Sequence, residues 1–380
     1  MRREASETSI NRPELHILTD YKNLNLLLVV TGSIAAIKTR GLIQALSANR
    51  FHIRAVLTQS AKDYGFVSIE DIEKLTGNPT LKTDDFSAAS GQAQGLLNDA
   101  DIILVSPASA GFIAQIAHET TTIGEALHQS RARKIIAPAM NKYMWQHPAV
   151  QRNIHALMER GWLIAGPVEG PLACGEFGYG RMLETDHIAA NMLEAVEDNA
   201  NKNELATLHQ RALMPHANLP KLENTNHAIN NILLLIHSAE DMPLIEQTIA
   251  TLIKRGKSIT CALAEEARSD EALQRLYELT GNTVYTKHYQ DDPEGMEHIN
   301  LSRKNDVLLA IGTTHRYAEE MAEGGSSSFV SDVYLATDKP VIMVPSASKT
   351  NAPDKRQLEQ IKRDGATITS ADSAIDILEK

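Results

Sequence analysis

The order of signals in the first half of this chain returns in the second. Asn25–Val30 (NLLLVV) is matched by Asn231–Ile236 (NILLLI), and RFHIRAVLTQSAKDY by GKSITCALAEEARSD. NDADIILVSPASAGFIAQIA is matched by SRKNDVLLAIGTTHRYAEEMA, and the segment opening RKIIAPAMNKYMW by the one opening DKPVIMVPSASKT. The offset stays near 206 residues, as from Asn25 to Asn231. Four matches in one order predict an internal duplication. Within the first copy, apolar runs at Leu24–Val30, His52–Leu57, Asp101–Val105, Lys134–Ala137 and Trp162–Ala165 read as strands with helix-like segments between them. Such alternation builds βαβ units and a parallel sheet. The expected fold is α/β: two flavodoxin- or Rossmann-like doubly wound domains in tandem, at 24–197 and 229–380. Residues 1–23 read as a polar arm. Residues 198–228, polar and holding Pro215 and Pro220, read as a linker.

Composition narrows the function classes. The net charge of −11 and the lack of a basic patch argue against nucleic-acid binding. No apolar stretch approaches the roughly 20 residues that span a bilayer. Two cysteines, Cys174 and Cys261, give no disulfide framework, and a reducing cytoplasm is the simplest setting. No metal site is expected.

Three segments of the first copy carry chemistry. Thr31-Gly32-Ser33 ends the first strand, where a glycine lets backbone N–H groups approach an anion and hydroxyls add donors. Pro138–Trp145 reads PAMNKYMW, and Pro171–Met182 reads PLACGEFGYGRM, a glycine-rich loop suited to fold over a ligand.

On these motifs, residues 24–195 resemble the flavin-containing cysteine decarboxylases, the family of phosphopantothenoylcysteine decarboxylase. The resemblance implies FMN as cofactor, held by Gly32, Ser33, Thr58 and the loop containing Ser106, Ala108 and Ser109. It implies that Asn141 binds the substrate carboxylate and that Cys174 is the active-site cysteine of a substrate clamp. Met144, Ala173 and Arg181 fall in the same two motifs as substrate-binding positions. An amide such as Asn141 donates to a carboxylate without adding a fixed charge. A thiol such as Cys174 can protonate a carbanionic enethiol.

The chain departs from the family pattern in two places. The family's histidine stands eight residues before the aspartate that opens the third strand. Here that aspartate is Asp101 and the position holds Ala93. The second copy has His298 eight residues before Asp306, in HINLSRKND. It lacks the other parts: Ser348 replaces the asparagine, His237-Ser238-Ala239 replaces Thr31-Gly32-Ser33, and Ala264-Glu265 replaces Thr58-Gln59. The losses are complementary, so one site is expected to draw Asn141 and Cys174 from the first copy and His298 from the second. His147, His155 and His315 read as structural or solvated. The second departure is His118–Gly124, where Glu119 is expected to oppose a cofactor phosphate.

The resemblance implies conversion of 4′-phosphopantothenoylcysteine to 4′-phosphopantetheine, a carboxy-lyase step of coenzyme A synthesis. A flavin there oxidises the cysteine thiol to a thioaldehyde, which serves as the electron sink. Two alternatives stand beside it: oxidative decarboxylation of a peptide C-terminal cysteine, and a non-enzymatic regulator. The expected partners are a small-molecule substrate and further copies of the chain, in a trimer-based homo-oligomer.

Overall fold

The computed structural model describes residues 24–86, 91–196, 218–222, 228–286, 296–348 and 350–379. The arm 1–23 and most of the linker lie outside them. Among the described residues are two six-stranded parallel sheets. The first runs in the order β3 (Leu81–Lys82), β2 (Phe51–Leu57), β1 (Leu24–Val30), β4 (Ile102–Ala108), β5 (Arg133–Pro138), β6 (Leu163–Ile164). The antiparallel hairpin of β7 (Val168–Pro171) and β8 (Phe177–Arg181) follows it. The second sheet repeats the order with β11 (Val284–Tyr285), β10 (Ser258–Leu263), β9 (Asn231–Ile236), β12 (Val307–Thr313), β13 (Val341–Pro345), β14 (Thr367–Ile368).

Both faces of each sheet are buried, which is why the central strands read as continuous apolar runs rather than alternating ones. Side chains still alternate between faces. Leu26, Leu28 and Val30 of β1 enter a core made only of residues from the first half. Ile232, Leu234 and Ile236 of β9 enter one made only of residues from the second half. Leu27 and Val29, with Leu233 and Leu235, enter a third core that runs through both halves. This shared core joins the two sheets and includes Trp145, Val150 and Tyr334.

Polar contacts hold the same joint. Arg152 forks onto the buried carboxylate of Asp364, with Nη2 to Oδ2 at 3.0 Å, and donates to the Ala322 carbonyl at 2.7 Å. Asn153 donates to the Glu323 carbonyl at 2.7 Å. Gly324 stands where a side chain is excluded: its φ is +73°, and a Cβ would lie 2.9 Å from that of Ala149. Of the expected linker, Leu219 is buried and its N–H donates to the Asp364 carbonyl at 2.8 Å.

Candidate functional site

In doubly wound sheets ligands sit beyond the carboxyl ends of the strands, where the strand order reverses. In the first sheet that point lies between β1 and β4. Thr31, just past β1, spans it: its hydroxyl donates to the Pro107 carbonyl at 2.7 Å and accepts the Ser109 N–H at 2.9 Å. Three hydroxyls cap the helical turns that leave these strands. Ser33 caps Ile34–Lys38, Thr58 caps Gln59–Tyr64, and Ser109 caps Ala110–His118. Gly32 is pressed against Ser60, where a Cβ would come within 2.6 Å of the serine Cβ. Capping hydroxyls and N–H groups converging on a close-packed glycine form an anion cradle.

The cradle opens into a cavity of about 1180 Å³. That exceeds the roughly 300–1,000 Å³ of an ordinary small-molecule site, and so has room for a cofactor and a substrate together. Gly32, Ser33, Thr58 and Ser109 line it, as do Asn141, Met144, Ala173, Cys174 and Arg181 from the two longer motifs. His298 of the second half lines the same cavity. The fold therefore brings these residues together within one chain.

Asn141 caps the helix Lys142–Gln146, its Oδ1 accepting the Met144 N–H at 2.7 Å. The asparagine is buried, and among the described residues Nδ2 has no hydrogen-bond partner. The cap thus fixes the amide with its donor end unspent. Met144 is largely buried at the cavity wall, while Trp145 is wholly buried in the shared core, so the latter packs the domain.

Cys174 lies in the turn of the β7–β8 hairpin. Gly180 permits the hairpin's close approach: its φ is +142°, and a Cβ would fall 2.2 Å from the Met140 carbonyl oxygen. The Met140 N–H donates to the Gly180 carbonyl at 3.0 Å, tying hairpin to the asparagine segment. Cys174 Sγ donates to Glu176 Oε2 at 3.7 Å. Arg181 pairs with Glu184 at 2.7 Å, and Lys38 reaches that carboxylate at 3.2 Å. Lys38 chiefly, with Arg181 adding to it, holds the Glu184 carboxyl below its usual range against the opposing effect of burial.

Two expected cofactor positions do not line the cavity. Ser106 is fully buried and donates to the Met182 sulfur at 3.6 Å; Ala108 is fully buried in β4. Only Ser109, beyond the strand end, reaches it. Glu119 also lies off the cavity lining. It closes its helix in the left-handed conformation and pairs with Arg160 at 3.5 Å and His128 at 3.8 Å. The loop contributes Thr120, Thr121 and Thr122 instead.

Ser326, Ser327 and Asp332 of the second half also line the cavity, which the sequence motifs do not reveal. Gly111 admits that loop: a Cβ there would meet the Ser326 Cβ at 2.8 Å. Ser326 donates to the buried Asp332 carboxylate. The helix that follows begins at a capping hydroxyl in both halves, Thr121 in the first and Ser328 in the second, one residue after Ser327.

The equivalent point of the second sheet is closed by its own side chains. His237 is buried, stacks on Tyr317 at 4.6 Å between ring centroids, and meets Thr313 Oγ1 at 3.3 Å. Ala264 supplies no capping hydroxyl where Thr58 does in the first sheet. His147 is also buried, its Nδ1 accepting the Ala149 N–H at 3.2 Å.

A family model described as Flavoprotein matches residues 15–197. A probable phosphopantothenoylcysteine decarboxylase of Streptococcus mutans is 34% identical over 178 residues, 44% of this chain and 97% of that protein. The coenzyme A biosynthesis bifunctional protein CoaBC of Vibrio cholerae is 34% identical over 170 residues; the match spans 44% of this chain but only 42% of that longer protein. A solved PPC decarboxylase complexed with pantothenoylaminoethenethiol aligns at 25% identity and a TM-score of 0.41, over 47% of this chain and 100% of its own.

Proposed function

We propose that this chain, which belongs to the Flavoprotein family, is an FMN-dependent carboxy-lyase that decarboxylates 4′-phosphopantothenoylcysteine to 4′-phosphopantetheine. The observation that carries the proposal is the cavity lined at once by Asn141, Cys174 and His298. The residues present fit the cofactor. The cradle of Gly32, Ser33, Thr58 and Ser109 suits its phosphate, Glu119 is turned away, and apolar Ile34, Phe112 and Met144 offer a wall for a flat ring. When bound, the flavin supplies a two-electron sink at the substrate's thiol-bearing carbon.

The chain's own residues do the rest. The unspent Nδ2–H of Asn141 donates to the substrate carboxylate and orients it for loss of carbon dioxide. Leaving that carboxylate without a cationic partner avoids stabilising the group that must depart. After carbon dioxide has left, the two electrons held by the flavin would return as a hydride to the thiol-bearing carbon, and Cys174 Sγ–H gives the accompanying proton to the adjacent carbon, so that the enethiol becomes the product thiol. His298 serves the oxidative half as a base. The hairpin that carries Cys174, closed against Met140, keeps water from the reacting carbon.

In this reading the chain is a tandem duplication divided at 24–197 and 229–380. The second copy has given up its own cofactor site and supplies a histidine to the first. Assembly into a homo-oligomer in the cytoplasm belongs to the same reading. The test is direct: the purified protein carries a flavin spectrum and releases carbon dioxide from 4′-phosphopantothenoylcysteine. A peptide ending in cysteine turned over in its place would move the assignment to peptide modification. A colourless protein that binds no FMN would overturn it.

A further inference from the structure

We propose that Glu176 is the positioning residue that holds the three reactive segments of the cavity in register, an inference that rests on the decarboxylase reading. Its carboxylate has three neighbours. Oε2 accepts from Cys174 Sγ at 3.7 Å and lies 3.1 Å from Arg303 Nη2, while Oε1 lies 3.6 Å from Lys142 Nζ. Each neighbour stands on a different segment. Lys142 directly follows Asn141, Cys174 is in the hairpin turn, and Arg303 shares the helix Glu297–Lys304 with His298. Arg303 Nη1 also donates to the Cys174 carbonyl at 3.1 Å.

One carboxylate therefore meets the segment of every proposed catalytic residue, from both halves of the chain. Its side chain is 19% exposed, and two cations balance it. A partly buried, charge-assisted cluster of this kind fixes geometry better than an exposed ion pair does. Glutamine at this position keeps the volume and forfeits both ion pairs. The hairpin turn, left with only the Arg303 bond to the Cys174 carbonyl, would sit less firmly against Asn141 and His298. Glu176 acts through Cys174 and Arg303 and does not itself touch the substrate.

The experiment uses the full-length, FMN-loaded protein and its Glu176→Gln, Arg303→Gln and doubly substituted variants, with Glu176→Asp as a milder change. The exposed pair of Arg275 and Glu246 supplies the control, Arg275→Gln. Iodoacetamide alkylation of Cys174 is followed by mass spectrometry, with buried Cys261 as the unreactive standard. Each single variant is expected to raise the alkylation rate about 10-fold or more, the effect of losing a charge-assisted hydrogen bond. The double variant should be no faster than either single one, Glu176→Asp should fall between, and enethiol should accumulate over thiol product. Bound flavin stays unchanged. Unaltered alkylation and product ratio in Glu176→Gln, or additive effects of the two substitutions, would overturn the proposal. If alkylation responds as expected in a protein that decarboxylates nothing, the positioning role stands and the reaction assignment fails.

Discussion

Asn141 accepts the Met144 N–H on its side-chain oxygen at 2.7 Å, and its buried amide nitrogen has no partner among the described residues. One end of the amide is spent on the helix cap, and the other is the proposed donor to the substrate carboxylate. Asn141→Asp preserves the cap, since aspartate caps as well as asparagine. It replaces the carboxylate donor by a second carboxylate. Thermal stability should change little while kcat/KM falls by about 10- to 100-fold or more, the loss of one hydrogen bond to a charged group. Asn141→Ala should lose the cap as well, and differ from Asn141→Asp by a lower Tm.

Gly180 is a separate test of the hairpin. An alanine Cβ would stand 2.2 Å from the Met140 carbonyl, at a φ that L side chains rarely adopt. Gly180→Ala should lower stability by about 1–3 kcal/mol, as strain at such a position costs. Chemical denaturation checks it, and a change below about 0.5 kcal/mol would mean that the hairpin does not seat as described.

Stability should fall in acid. Burial, helped by Arg152 nearby, lowers the His147 pKa to about 3, and burial lowers that of His237 to about 3. Both are neutral in the fold, so the fold binds fewer protons than the unfolded chain. Their contribution is complete above about pH 6.5 and is lost as the pH falls from there toward 3. Each pH unit in that window removes up to about 1.4 kcal/mol per histidine. His147→Asn keeps a capping residue and removes one titration, so its unfolding free energy should depend less steeply on pH between 6 and 4 than the parent's. Equal slopes in urea denaturation would contradict this account.

Flavin should saturate at one per chain. The His237–Tyr317 stack fills the second sheet's switch point, and Ala264 offers no cap there. Titration of the flavin-free protein, followed by quenching of flavin fluorescence, measures the stoichiometry. Two equivalents would contradict the division of labour.

Much of this was legible in the sequence. β1 forms at Leu24–Val30 as expected, because a strand buried on both faces leaves a continuous apolar run, here Leu26 to Val30. The repeat register placed His298 opposite Ala93 and hence near a site far from it in the chain. The hairpin was not legible. Its strands VEGP and FGYGR hold little that favours a strand, and pairing with Met140 stabilises them through tertiary contact. Trp162–Ala165 forms a strand only at Leu163–Ile164. The motif alone points Ser106 and Ala108 at the cofactor, yet β4 extends through both and buries them. Glu119 looked hostile to a phosphate because linear sequence does not show Arg160, which draws it aside.

The central claim is that both halves of one chain complete a single site, and His298→Ala measures it most directly. The proposed flavin cradle of Gly32, Ser33, Thr58 and Ser109 belongs to the first half, so this variant should keep its flavin. Decarboxylation should fall by about 10²–10⁴-fold, the usual loss with a positioned acid–base group. Because the cavity closes within one chain, mixing His298→Ala with Asn141→Ala protein should restore nothing. A His298→Ala variant that decarboxylates at the parent rate, or a mixture that regains activity, would contradict the account.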